Sequence, residues 1–231
     1  MVYPFIYGVQ YKGLHYFDTY PDNENIGLSL SGGADSALLL YLFAKMVSDR
    51  TFYGIKPVQI HCLHGHDISY VHQQSPDAAT RVVEYVQKKY PNVSIFLHIT
   101  QYHLTDDTSK EVYHRQFYDA MKELWDLPHI VRGTTQGMPE SYRPSHMYEH
   151  TIPNADPSPE ELIEFSQTTP VVPLGAVDKR WVKLQYRYQG IMDLANITAS
   201  CIADIPDAPC RECWWCKERF WAFGNYDGGI Q

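Results

Sequence analysis

Basic residues are in short supply in this 231-residue chain: 19 lysines and arginines stand against 27 aspartates and glutamates, a formal net charge of −8. A molecule of that sign repels a phosphate backbone, so extensive nucleic-acid binding is not expected and a small-molecule substrate is favoured. Long apolar runs are missing too. Nothing approaches the ~20 residues that span a bilayer, and the opening MVYPFIYGVQYKG lacks the basic region, apolar run and small-residue cleavage site of a secretory leader. The expectation is a cytoplasmic protein without membrane contact. Internal repeats and low-complexity tracts are absent. With 44% hydrophobic and 20% charged residues, no window is poor enough in apolar side chains to read as disordered. Cysteine is scarce at five residues, and four of them, Cys201, Cys210, Cys213 and Cys216, crowd into one short segment. In a reducing compartment an odd count clustered in this way speaks for metal and against disulfides.

A chain of this length supports one large domain. Residues 1–25 are rich in tyrosine and glycine, end in PDNEN, and read as an N-terminal extension or hairpin. Strand-like segments IGLSL, PVQIHCLHG, VSIFLHI and HIVRGTT then alternate with helical ones, ALLLYLFAKMVSD, DAATRVVEYVQKKY and SKEVYHRQFYDAMKELW. That alternation predicts an α/β fold, a parallel sheet with helices on both faces, over residues 26–200. Residues 136–159 carry five prolines and read as a long loop or lid over the carboxyl edge of the sheet. VDKRWVKLQYRYQGIMDLA reads as a further helix, and residues 201–231 form the cysteine segment.

The first strand runs into Ser31-Gly32-Gly33-Ala34-Asp35-Ser36 before a strong helix. An anion is well held at such a junction, by free backbone N–H groups and the positive end of the helix dipole. The two glycines allow close approach, and the Ser31 and Ser36 hydroxyls can donate to phosphate oxygens. The Asp35 carboxylate would repel phosphate unless a divalent cation lay between them, which implies magnesium. The plainer alternative is a strand-to-helix turn in which Asp35 or Ser36 caps the helix.

The cysteine spacing C-x8-C-x2-C-x2-C places four thiolates within reach of one tetrahedral ion. A closed four-sulfur site most often selects Zn2+ in a structural role, with an iron–sulfur cluster as the alternative. Trp214, Trp215, Phe220, Trp221 and Phe223 surround the cysteines and are expected to pack this knuckle onto the domain.

The string SGGADS after an apolar strand resembles the SGGxDS fingerprint of the PP-loop ATP pyrophosphatases and lacks the GxxxxGK[ST] of a Walker loop. Combined with the four cysteines, Arg219 and Ala222-Phe223, it resembles the 7-cyano-7-deazaguanine synthase family within that group. His129-Ile130-Val131-Arg132-Gly133-Thr134 resembles that family's fourth strand, and Pro173-Leu174 with Lys179 its proline-leucine turn and following lysine. The resemblance implies ATP as co-substrate, cleaved between its α- and β-phosphates. It makes Ser31, Gly32, Gly33, Ala34, Asp35 and Ser36 the pyrophosphate cradle, with Asp35 on Mg2+, and sets the adenine near His61 and Leu63, with Gly133 close by. Asp35, Ser36 and Lys179 become the catalytic candidates. The implied reaction adenylylates the carboxylate of a 7-carboxy-7-deazaguanine-like substrate for attack by ammonia, giving an amide that a second ATP dehydrates to a nitrile. A homodimer is implied by the same likeness. The chain departs from the family where TSKEVYHRQFYDAM stands in place of a Val-Pro-Gly-Arg-Asn segment, and where QGMPESYRP follows the fourth strand.

Arg115 and Arg143 are further candidate charge stabilisers. Tyr142, His146, Tyr148 and His150 are candidate lid contacts. His61, Cys62, His64, His66 and Asp67 could be mistaken for a second metal site, but alternation sends neighbours to opposite faces and a shared ion is not expected. Two other functions fit the same motifs: an ATP-dependent enzyme that modifies a tRNA base or transfers sulfur, and a noncatalytic nucleotide-binding or protein-modifying homologue.

Overall fold

The computed structural model describes residues 25–54, 58–68, 74–102, 110–139, 172–175, 177–201 and 209–230. The expected N-terminal extension and most of the proline-rich loop, with Tyr142, Arg143, His146, Tyr148 and His150, lie outside the described residues. The elements run β1 (Ile26–Ser29), α1 (Ala34–Phe52), β2 (Ile60–Asp67), α2 (Gln74–Lys89), β3 (Ile95–Tyr102), α3 (Lys110–Trp125) and β4 (Ile130–Arg132). Helices α4 (Lys179–Tyr188), α5 (Met192–Ile197) and α6 (Trp214–Phe223) follow, then a 3-10 turn at Asp227–Gly229.

The four strands form one parallel sheet in the order β3-β2-β1-β4, so the chain reverses direction across the sheet after β3. Side chains alternate across a strand, and the two sets have different partners. Ile26, Leu28, Ile60, Cys62, Ile95 and Val131 join the main core with α1, α2, α4 and α5, whereas Leu63 and Ile130 meet Phe117, Tyr118 and Met121 of α3 in a smaller cluster. Helices therefore cover both faces. The α/β alternation read from the sequence is present.

Helix α1 is buried on nearly every side, from Ala34 through Val47, because it lies between the sheet and the later helices. An all-round apolar helix needs cover on all sides, and α4 and α6 supply part of it through Val182, Tyr186, Ala222 and Phe223. Each such aliphatic or aromatic side chain contributes on the order of 1.5–3 kcal/mol when fully buried.

Two local readings change. The helix expected across VDKRWVKLQYRYQGIMDLA breaks into α4 and α5, because Gly190 adopts φ 67°, a left-handed conformation that ends a helix at little cost only for glycine. The cysteine segment also contains a helix of its own, α6, which begins right after Cys213 and ends at Gly224 with φ 73°. No helix among the described residues is long and apolar enough to cross a membrane.

Candidate functional site

The glycine turn sits where β1 hands over to α1, at the carboxyl end of the sheet. Gly32 has φ 82°, a left-handed conformation that bends the chain there. The hydroxyls close the loop internally: Ser31 Oγ and Ser36 Oγ lie 3.0 Å apart, Gly33 N–H donates to Ser31 Oγ at 3.2 Å, and Ser36 Oγ donates to the Gly33 carbonyl at 3.2 Å. Gly33 is the N-cap of α1 and caps it with no side chain. The N–H groups of the first turn therefore have no intrahelical acceptor. Ser31 is exposed while Ser36 is buried, so the turn presents its outer hydroxyl and its backbone to an incoming group.

Gly133, just beyond β4, backs directly onto this turn. A Cβ placed there would lie 2.6 Å from the Ser36 nitrogen and 2.9 Å from the Asp35 carbonyl carbon, so only glycine permits the approach. From the other side the Ala199 N–H donates to the Gly32 carbonyl at 3.0 Å, and the Tyr186 hydroxyl donates to the Ala34 carbonyl at 2.7 Å. Three distant parts of the chain thus fix the geometry of six residues.

Asp35 and Lys179 meet beside the turn. Lys179 opens α4, whose N-cap Asp178 accepts from the Trp181 N–H at 3.0 Å, and the Gln136 N–H donates to the Val177 carbonyl at 2.8 Å, which brings that N-terminus to the end of the sheet. Lys179 Nζ lies 3.2 Å from Asp35 Oδ2 and 2.6 Å from Glu218 Oε2. Lys179 and Glu218 are each only 5% exposed, so the ammonium is held between two carboxylates almost out of water. Burial works against the lysine's charge, but Asp35 and Glu218 outweigh it and push its pKa up, so the group stays protonated. Burial raises the Asp35 carboxyl pKa, with Lys179 opposing and Glu218 adding to the rise. Asp35 Oδ1 is buried without a hydrogen-bond donor among the described residues. An orphaned carboxylate oxygen at the edge of the turn is the type of donor that a hard divalent cation takes, so Asp35 could hold one.

The four cysteine sulfurs all lie within 4.8 Å of one another, and Cys210 Sγ and Cys216 Sγ are 3.9 Å apart. Tetrahedral zinc with bonds of about 2.3 Å separates its sulfurs by about 3.8 Å. The cluster could therefore bind a metal such as zinc. Two backbone N–H groups already point at sulfur, Cys210 N to Cys201 Sγ at 3.2 Å and Cys213 N to Cys210 Sγ at 3.3 Å. Arg211 takes a φ of 65° to make the tight turn between Cys210 and Cys213. Hydrogen bonds that the Cys216 S–H makes to the Cys201 and Cys213 sulfurs, with burial, push its thiol pKa far up. A bound cation would take the place of those protons.

Arg219 joins the two centres. It is 1% exposed, donates to Thr198 Oγ1 at 2.6 Å and to the Ala195 carbonyl at 2.7 Å, and lies 3.3 Å from Asp227. Asp227 in turn accepts from the N–H groups of Ser200 at 2.6 Å and Cys201 at 2.7 Å. Residues 198–201 are thereby clamped between the cysteine helix and Gly32.

The other candidates fall elsewhere. His61 is fully buried on the α3 face of β2, between Gln59, His98 and Trp125, with its Nδ1 3.0 Å from His98 Nε2. The Leu63 carbonyl accepts from the Leu30 N–H within the sheet, and the Leu63 side chain belongs to the α3 cluster. His64, nearer the strand end, is the histidine next to the turn. Its Nδ1 lies 2.7 Å from the Leu30 carbonyl, which can only accept, so Nε2 carries the lone pair and is buried with no partner among the described residues. Cys62 is fully buried on the core face and its thiol pKa is pushed up by burial. Arg115 is exposed on α3, and the basic run on α4 divides into buried Lys179 and exposed Arg180 and Arg187. Trp214 and Phe223 are buried as expected, while Phe220 is 45% exposed.

Glu218, Tyr186 and Asp227 escaped sequence reading. A lone carboxylate within the aromatic run WWCKERFW was the one signal for Glu218, since an acid there needs a partner. No family model matches the chain, and no curated protein does either.

Proposed function

We propose that this chain is an ATP-dependent carbon–nitrogen ligase of the PP-loop type, which transfers AMP to a substrate carboxylate, releases pyrophosphate, and lets ammonia displace the AMP. The observation that carries the reading is the Asp35–Lys179 ion pair at 3.2 Å on the edge of a glycine turn whose Asp35 Oδ1 is left without a donor. A turn that only joined a strand to a helix would have no use for that buried carboxylate, which raises its own desolvation cost.

In this reading the 31–36 turn binds the β- and γ-phosphates through backbone N–H groups and the Ser31 hydroxyl. Mg2+, when bound through Asp35, neutralises phosphate charge. Lys179 stays protonated and stabilises negative charge as it moves onto the leaving pyrophosphate. Gly133 and Ala199 keep the turn in place, so little reorganisation accompanies the reaction. The acceptor class, a 7-carboxy-7-deazaguanine-like acid, comes from the resemblance of the SGGADS turn and the cysteine spacing to the 7-cyano-7-deazaguanine synthase family. The cysteine centre, in this reading, holds structural zinc.

Sulfur transfer through a free cysteine is disfavoured, because Cys62 is buried in the core and the other four thiols form the cluster. The test is incubation with ATP, Mg2+, ammonium and 7-carboxy-7-deazaguanine, followed by chromatography of nucleotides and mass analysis. AMP, pyrophosphate and a nitrile product, all lost in Asp35→Ala, support the ligase. AMP and pyrophosphate without that product move the acceptor to another carboxylate. ADP formation, or no turnover, overturns it.

A further inference from the structure

The buried charges around Lys179 do not balance. One ammonium faces two carboxylates, Asp35 at 3.2 Å and Glu218 at 2.6 Å, and the shorter contact is with the residue outside the turn. Arg219, the neighbouring cation, is committed to Thr198, the Ala195 carbonyl and Asp227. With both carboxylates ionised, the group of three carries a net negative charge in a poorly hydrated place. Burying an extra carboxylate costs several kcal/mol unless it is paired. An apolar side chain in the same position of α6 would avoid that cost, so Glu218 is not explained by stability.

We propose that Glu218 is a positioning residue that sets the cation requirement of the glycine turn: by holding Lys179, it leaves Asp35 with unneutralised charge for a divalent cation. This rests on the reading of the turn as a phosphate cradle. Without Glu218, the Lys179 ammonium would pair with Asp35 alone. The pair would be neutral, the attraction for Mg2+ would fall, and the attraction for a bare anion would rise. With Glu218 present, the sign reverses: free polyphosphate is repelled and its magnesium complex is favoured. Glu218 lies two residues beyond Cys216 on the same helix, so the segment that carries the cysteines also delivers the carboxylate.

The two directions of change make this testable. The zinc-loaded full chain is titrated calorimetrically with pyrophosphate, with and without Mg2+, as wild type, Glu218→Gln and Glu218→Asp. Removing one charge several ångströms away shifts each affinity by about tenfold. For Glu218→Gln the expected result is about tenfold tighter binding of metal-free pyrophosphate and about tenfold weaker binding of its magnesium complex, so that the enhancement by Mg2+ falls about a hundredfold. Glu218→Asp, which keeps the charge, restores most of the wild-type ratio. A purely structural role would lower both affinities together, and that result, or no change in the ratio, overturns the proposal. Zinc content and near-ultraviolet circular dichroism show whether each variant is folded. If Glu218→Gln fails to fold, Lys179→Gln decides: metal-free binding weakened and Mg2+ enhancement preserved supports the proposal, and an unchanged metal-free affinity overturns it. A wild-type chain that binds pyrophosphate in neither condition refutes the cradle itself, an outcome distinct from a cradle that binds but ignores Glu218.

Discussion

Glu218 accepts a hydrogen bond from Lys179 at 2.6 Å, and through that contact the cysteine-bearing helix α6 reaches the glycine turn more than 180 residues earlier in the chain. Lys179 completes the link by its ion pair with Asp35. A second route runs in parallel, from Arg219 to Thr198 and from Ala199 to Gly32. The glycine turn and the cysteine segment are thus joined by two chains of contacts.

Arg219→Ala is expected to destabilise the chain by about 3–5 kcal/mol, the usual consequence of removing one partner of a buried charged pair. It removes the cation beside Asp227 and the donors to Thr198 and the Ala195 carbonyl, and so loosens residues 198–201. Urea denaturation measures the loss, and Arg219→Lys recovers only part of it because one ammonium cannot replace the fork of donors.

Gly133→Ala tests the close approach behind the turn. The added methyl meets the backbone at Ser36 and Asp35, which cannot rotate away, so either the start of α1 or the end of β4 shifts. The expected cost is about 1–3 kcal/mol, read from the melting transition, with pyrophosphate affinity lowered by more than stability alone requires.

Metal removal has a countable outcome. Chelation is expected to release one zinc per chain and to expose four reactive thiols, while Cys62 stays unreactive in the folded chain because it is fully buried. Because α6 carries Glu218 and Arg219, the metal-free chain binds magnesium pyrophosphate more weakly. By linkage, magnesium pyrophosphate slows zinc loss. Thiol titration and a colorimetric zinc indicator follow both.

Acid is expected to weaken the fold through His61. Burial, then the neighbouring His98, pulls its pKa down to about 4, against about 6.5 for an unfolded histidine. Its folded pKa lies below the unfolded value, so the unfolded state binds the proton first. The stability it contributes is complete above pH 6.5 and is lost as pH falls towards 4. Asp35, whose carboxyl is raised by burial, changes in the opposite sense, so the comparison must isolate His61. The urea midpoint of His61→Phe, which keeps a ring against Trp125, should fall less between pH 7.5 and pH 5 than that of the wild type.

The sheet and its helices could be read in advance because period-2 and helical apolar patterns alternate cleanly from Ile26 to Arg132. The turn and the cysteines could be read because their chemistry is local, carried by spacing alone. What connects them could not. Glu218 and Asp227 acquire meaning only when α6 folds back onto α4 and α5, and nothing local to WWCKERFW names Lys179 as the partner. His61 shows the converse. Its place on β2 was plain, but its neighbours depend on the register that sets it beside Phe96 and within reach of His98, and on the packing of Trp125.

The proposed ligase activity is tested most directly by the fate of ATP itself. The chain, loaded with zinc and Mg2+ and supplied with 7-carboxy-7-deazaguanine and ammonium, is incubated with ATP labelled in both its α- and γ-phosphates, and the products are separated. Label is expected in AMP and pyrophosphate in equal amounts, abolished by Asp35→Ala and strongly reduced by Lys179→Met. Label appearing in ADP and inorganic phosphate, or a turnover indifferent to Asp35, would contradict the proposed activity.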